Sequence, residues 1–302
     1  MTEKQVVIIT GASKGIGRAT ARLFCSKGYT VYGLARSTGD VCVPRCVSPP
    51  VCVPEGGRES AQRDTHGVGT GNMCVPPHGF KLVLCDITDS SKLKEAIDSI
   101  FTVEKRIDIL VNNAGAGISG SVEKTAAADV RRLFDINFFS LFEAVKYTVP
   151  YMRAGGRGKI INIGSVAGSM HVPFQAFYSA SKAAVEALSH CLRGELEPFN
   201  IKVTTILPGD TRTAFTSARE KNYETDDSHY GSRIARSIKL MEKDELRGMP
   251  PEKTAQVIFK AACSINPGPL YPVGVKYKIF LLLNKLLPKC FIQFVLNMIY
   301  AK

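Results

Sequence analysis

The chain has 302 residues, 45% of them hydrophobic and 22% charged, with a formal net charge of +12. That is ample for one large domain with a buried core, and too apolar for a disordered chain. The positive excess is not of the kind that reads nucleic acid. Seven lysines and no acid follow Glu252, whereas a nucleic-acid binder carries Arg-rich clusters with interleaved aromatics.

The first apolar run, "VVIIT" (6–10), is predicted as a strand buried on both faces. No secretory signal precedes it. With nine cysteines, an odd number, this points to free thiols in a reducing, cytoplasmic setting. The strand runs into "TGASKGIG" (10–17) and a helix over 15–27. Gly11 allows a tight turn, and Gly15 and Gly17 let backbone and helix approach a pyrophosphate at the helix N-terminus. A second strand, "TVYGLA" (30–35), ends at Arg36, where an acid would bind a ribose 2′-hydroxyl. Arg36 and Lys14 favour a 2′-phosphate, hence NADP(H), while Asp40 is near enough to keep NAD as the alternative.

Residues 37–79 hold six Pro and seven Gly, and "CVP" recurs at Cys42, Cys52 and Cys74. The segment reads as an irregular insertion, and deleting 40–77 is expected to leave folding intact. A zinc site from Cys42, Cys46, Cys52 and Cys74, with His66 and His78 nearby, lacks any Cys-x-x-Cys pair, so no metal is expected. Beyond it, strands are predicted at 81–86, 107–113, 159–164 and 201–209, with a short late one at 269–274. Helices fall near 90–104, 124–152 and 175–199. The alternation gives an α/β class, a doubly wound parallel sheet in a single domain.

Chemistry gathers at the predicted strand ends. "NNAG" (112–115) ends one strand, and "INIGSVAG" (161–168) ends another and carries Ser165. The helix "FYSASKAAVEALS" (177–189) sets Tyr178 and Lys182 one turn apart. A phenol is a poor acid or base at neutral pH, and a nearby ammonium and a positive nicotinamide stabilise the phenolate and lower its pKa. Tyr178 can then exchange a hydroxyl proton while a hydride passes at carbon, with Ser165 polarising the same oxygen.

In order, "TGASKGIG", "NNAG", "INIGSVAG", "YSASK" and "LPGDTRT" resemble a short-chain dehydrogenase/reductase of the compact, Rossmann-fold type, over residues 5–36 and 80–275. The resemblance implies a catalytic set of Ser165, Tyr178, Lys182 and Asn137, the last continuing a proton relay through a water. It implies a cofactor cradle of Gly11, Ser13, Lys14, Gly15, Ile16, Gly17 and Arg36. Asp86 and Ile87 would border the adenine, and Asn113, Ala114 and Gly115 the ribose side. Pro208, Gly209, Thr211 and Thr213 would lie by the nicotinamide, near Tyr178 and Lys182. The tail is similar to the 17β-hydroxysteroid dehydrogenase-like branch, implying a hydrophobic alcohol or ketone as substrate. A non-catalytic dinucleotide sensor is the alternative, and it has no use for the complete Ser–Tyr–Lys–Asn set. The family departure is the insertion at 37–79.

Residues 211–250 are expected to form a substrate lid. The domain is expected to end near 275, with two short amphipathic helices in 276–302 interrupted by Lys278, Lys285, Lys289 and Pro288. They would cover the pocket, form a contact between copies in a homo-oligomer, or dock on a lipid surface.

Overall fold

Strand β1 (Val6–Thr10) is buried along its whole length, Thr10 included. Val6 and Ile8 enter one core and Val7 and Ile9 the other, because successive strand residues point to opposite faces. An unbroken Val/Ile run therefore needs helices on both sides. The computed structural model describes residues 4–38, 79–222, 229–230 and 232–301 and shows that arrangement.

The central strands are β1, β2 (Thr30–Ala35), β3 (Phe80–Leu84), β4 (Ile109–Asn112), β6 (Gly158–Ile163), β7 (Ile201–Leu207) and β9 (Leu270–Pro272). They form one sheet in the order β3-β2-β1-β4-β6-β7-β9, and every pairing is parallel. On one face lie α2 (Ser90–Glu104), α4 (Ser140–Ala154) and α5 (Ala176–Leu196), packing Leu93, Ile97, Val145 and Val185 into the core. On the other, α1 (Gly15–Ser26) and α8 (Pro251–Cys263) bring Phe24 and Ile258 together. The strand order reverses direction between β1 and β4, and open α/β sheets bind ligands at such a switch point.

Three features depart from the sequence reading. A short strand β5 (Ile118–Gly120) pairs in parallel with β8 (Glu220–Asn222), in a second small sheet. The helix expected over 124–152 is instead α3 (Ala127–Phe134), a π-helical turn at Asp135–Phe139, and α4. The third departure concerns the insertion, most of which, with its cysteines and Asp40, lies outside the described residues. Because β2 and β3 are parallel neighbours, with Val31 opposite Phe80 and Ala35 opposite Leu84, the chain must return the full length of the sheet between them. Such a crossover needs about a dozen residues or more. Removing 40–77 leaves too few, so the expectation of harmless deletion is corrected.

The segment 211–250 contains α6 (Phe215–Ala218), β8 and α7 (Arg233–Leu246). The tail forms α9 (Val275–Leu286) and α10 (Lys289–Tyr300). Tyr277 of α9 is buried with Val166 and Leu207, and Tyr300 of α10 packs against Ile234 and Ile238 of α7.

Candidate active site

The glycine turn after β1 is held by β2 and β4. Gly11 N–H donates to the Leu34 carbonyl at 2.8 Å, which sets exposed Arg36 just beyond the turn. The Asn113 and Ala114 N–H groups both donate to Thr10 Oγ1 at 3.0 Å, and Asn113 Nδ2 reaches the Thr10 and Gly11 carbonyls at 3.0 and 3.2 Å. The fit leaves no space for side chains: a Cβ on Gly17 would lie 2.3 Å from the Gly11 carbonyl oxygen. Gly15, at φ +52°, faces Thr213, which brings the segment after β7 over the glycine turn.

The residues present suit a dinucleotide. Helix α1 begins at Gly15 with no side-chain cap and no acid in its first turn, so its N-terminal N–H groups and positive dipole end face outward unopposed. Lys14 is exposed at that terminus, and Ser13 and Ile16 flank it half-buried. Asp86, just past β3, accepts from the Thr88 N–H and hydroxyl at 3.1 and 2.8 Å, and Ile87 is buried beside it.

Along the strand ends, Ser165 follows β6, and its Oγ accepts from the Ala167 N–H at 3.1 Å. Helix α5 presents Tyr178 and, one turn on, Lys182. Lys182 is buried, its Nζ donating to the Ile163 carbonyl at 2.9 Å. A Cβ on Gly115 would lie 3.3 Å from Asn137 Oδ1 and 3.5 Å from Lys182 Nζ, so these three groups crowd one point. The extra residue of the π-helical turn points Asn137 inward, where such turns often mark functional sites. Its side chain accepts from the Ala116 N–H at 2.8 Å and donates to the Ala116 carbonyl and to Ser181 Oγ, each at 3.0 Å.

Electrostatics follow burial. Desolvation pushes the Lys182 ammonium down from 10.5 to about 8. The Tyr178 phenol is pushed up, chiefly by burial; a hydrogen bond with Ser165 lowers it, Glu245 raises it and Arg219 lowers it. The lowering expected from the ammonium together with a positive nicotinamide concerns the cofactor-bound site; in the protein by itself burial dominates. Burial outweighs the Ser165 bond, and Lys182 spends its contact on the Ile163 carbonyl.

The segment 208–213 is fastened from three sides. The Pro208 carbonyl accepts from the Val166 N–H at 3.1 Å, tying it to the residue after Ser165. Thr211 Oγ1 donates to the Gly209 carbonyl at 2.9 Å, and Thr211 bridges to Met249. Tyr277 of α9 lies flat against Gly209, accepts from the Asp210 N–H at 2.9 Å and donates to the Asp210 carboxylate.

Comparison with known proteins agrees with this geometry. The family described as short chain dehydrogenase matches residues 5–43 and 75–224. The chain belongs to the short-chain dehydrogenase/reductase family. It is 34% identical to a 3-ketodihydrosphingosine reductase of Bacteroides thetaiotaomicron over 99% of both chains. It is 32% identical to dehydrogenase/reductase SDR family member 7B of Xenopus tropicalis, over 85% of this chain and 73% of that one. A solved short-chain dehydrogenase from Streptomyces avermitilis superposes with a TM-score of 0.75 at 27% identity, covering 93% and 92% of the two chains. These relatives do not point specifically to 17β-hydroxysteroid dehydrogenases, which corrects that part of the resemblance. The protein is therefore a short-chain dehydrogenase/reductase oxidoreductase, for which a nicotinamide dinucleotide is the expected cofactor.

The sequence did not single out three residues that this reductase fold brings to the site. The Phe215 ring lies 5.7 Å from that of Tyr178. The Arg219 guanidinium, itself buried, stands over Phe215 and pairs with Glu245 of α7, which also accepts from Thr216 Oγ1 at 2.7 Å. Only the packing of α6 on α7 buries Arg219, and no local spacing in "TAFTSARE" signals it.

Proposed function

We propose that the chain is an NADP(H)-dependent reductase of a long-chain lipid ketone of the 3-ketodihydrosphingosine type. The observation that carries the substrate class is the full-length match to the Bacteroides reductase. Arg36 directly after β2, where an acid would bind the ribose 2′-hydroxyl, and Lys14 in the glycine turn support NADP(H) over NAD.

When bound, the nicotinamide supplies the hydride that reaches the carbonyl carbon. The protein supplies the proton at oxygen. A phenol with a raised pKa stays protonated at neutral pH, the form Tyr178 needs as proton donor to a reduced carbonyl. In the reverse direction Tyr178 would accept the hydroxyl proton as phenolate. Ser165, whose hydroxyl influences the Tyr178 phenol, polarises the same carbonyl oxygen. Lys182, one turn from Tyr178 on α5, places a cation near the phenol and returns protons to it from the Asn137 side, replacing the one given to the substrate.

The test is incubation with 3-ketodihydrosphingosine and either NADPH or NADH, following cofactor absorbance and the alcohol product. NADPH should be preferred by roughly tenfold or more, the worth of a charge-assisted hydrogen bond. Tyr178→Phe should cut turnover by roughly 10²–10⁴-fold while still binding cofactor. Turnover of steroid ketones but not long-chain keto-lipids would overturn the substrate class. An active Tyr178→Phe enzyme would overturn the mechanism.

A further inference from the structure

Helices α9 and α10 each have an inner face on the domain and an outer face without a protein partner among the described residues. On α9 the inner face is Tyr277, Phe280 and Leu281, with Asn284 Nδ2 donating to the Ser169 carbonyl at 3.1 Å. The outer faces are also apolar. Ile279, Leu282, Leu286, Phe291, Phe294 and Met298 are 48% to 70% exposed. So many large apolar side chains exposed on two successive helices mark an interaction surface.

Charge identifies what covers it. At about 100° per residue, Lys278 and Lys285 lie seven positions apart along one border of the outer stripe of α9, and exposed Lys289 opens α10. No acid occurs after Glu252 to balance them. An apolar stripe edged by lysines is the pattern of a helix lying in the headgroup plane. Twelve residues per helix reach only about 18 Å, short of the roughly 30 Å hydrocarbon core. No described helix is long and apolar enough to cross a membrane. A second copy of the tail offers these lysines no opposite charge, since it too lacks any acid after Glu252, whereas an anionic headgroup does.

We propose that α9 and α10 form a peripheral docking surface for anionic lipid, with the outer apolar residues inserted and Lys278, Lys285 and Lys289 on the headgroups. The inner face of α9 rests on Val166 and on the Gly209–Asp210 turn, so docking would set the mouth of the site against the lipid surface. This inference does not depend on the choice of substrate or cofactor.

Co-sedimentation of the full chain with vesicles tests it, using phosphatidylcholine alone and phosphatidylcholine with an equal part of phosphatidylglycerol. Strong binding is expected to the anionic vesicles and weak binding to the neutral ones. Changing Lys278, Lys285 and Lys289 together to Gln should weaken anionic binding roughly a hundredfold. The pair Leu282→Ser and Phe294→Ser should weaken it with the lysines intact. Circular dichroism and turnover of a soluble ketone should be unchanged in both variants, because the substituted side chains are exposed. Binding to neither vesicle overturns the proposal, as does undiminished binding by the lysine variant. So does light scattering that shows a dimer which the two serine substitutions dissociate.

Discussion

Lys182 holds a charge where burial resists it, and this has a measurable sign. Its folded pKa of about 8 lies below 10.5, so between those values the folded protein holds fewer protons than the unfolded chain. This group's contribution therefore rises with pH across that window, and below about pH 8 the full cost of the buried ammonium is present. Lys182→Met should gain stability relative to wild type at pH 7, by up to about 3 kcal/mol less the lost bond to the Ile163 carbonyl. The advantage should shrink between pH 8 and pH 10.5. Melting curves of both proteins across pH check this; a constant difference would show that Lys182 is not held at a depressed pKa. In the same range wild-type ketone reduction should decline as pH rises through about 8, and Lys182→Met should be nearly inactive. Much of this was legible in the sequence. Tyr178 and Lys182 share one helix face at a spacing that local structure alone brings together, and Ser165 follows a strand that the apolar pattern predicts. The direction of the phenol shift was not legible, because it depends on what buries the ring. Arg219 and Glu245 were missed for the same reason: their pairing exists only once α6 meets α7.

Among the elements, the parallel strands were read to within a residue or two, since runs such as "VVIIT" have no alternative but a sheet covered on both faces. The π-helical turn at Asp135–Phe139 was invisible, because one extra residue in a turn leaves hydrophobic spacing almost unchanged. Strands β5 and β8 are three residues each, below any useful periodicity. Strand direction is what overturns the deletion argument. Composition treats 40–77 as dispensable, but parallel β2 and β3 require a crossover. The protein lacking 40–77 should fail to fold or lose β3 from the sheet, whereas replacing those residues with a Gly/Ser linker of about a dozen residues should restore folding. Circular dichroism and thermal melts of the two chains decide it, and a stable, cooperative short deletion would refute the crossover argument.

For the whole molecule, the sheet order brings the glycine turn, Asn113, Ser165 and the 208–213 segment to the same edge, although they come from four strands far apart in sequence. The parallel α/β class was legible, but the joining of the tail to this edge was not, because an apolar helix does not announce which surface it covers. That junction is Tyr277, whose hydroxyl holds both the N–H and the carboxylate of Asp210. Tyr277→Phe should weaken cofactor binding roughly tenfold, the worth of a buried hydrogen bond to a charged group, with a smaller change in kcat. Cofactor titration by fluorescence measures it, and unchanged affinity would show that the 208–213 segment holds its shape without the tail. The same contact sets the order in which the enzyme is finished. On the ribosome, Ser165, Tyr178 and Lys182 all emerge before Tyr277 does. A nascent chain that already carries them still has the segment after β7 unanchored, and the sheet forms from its N-terminal strands first. Translation therefore delivers the residues proposed for proton transfer first and the clasp on their cofactor side later, so that cofactor affinity should tighten late in synthesis.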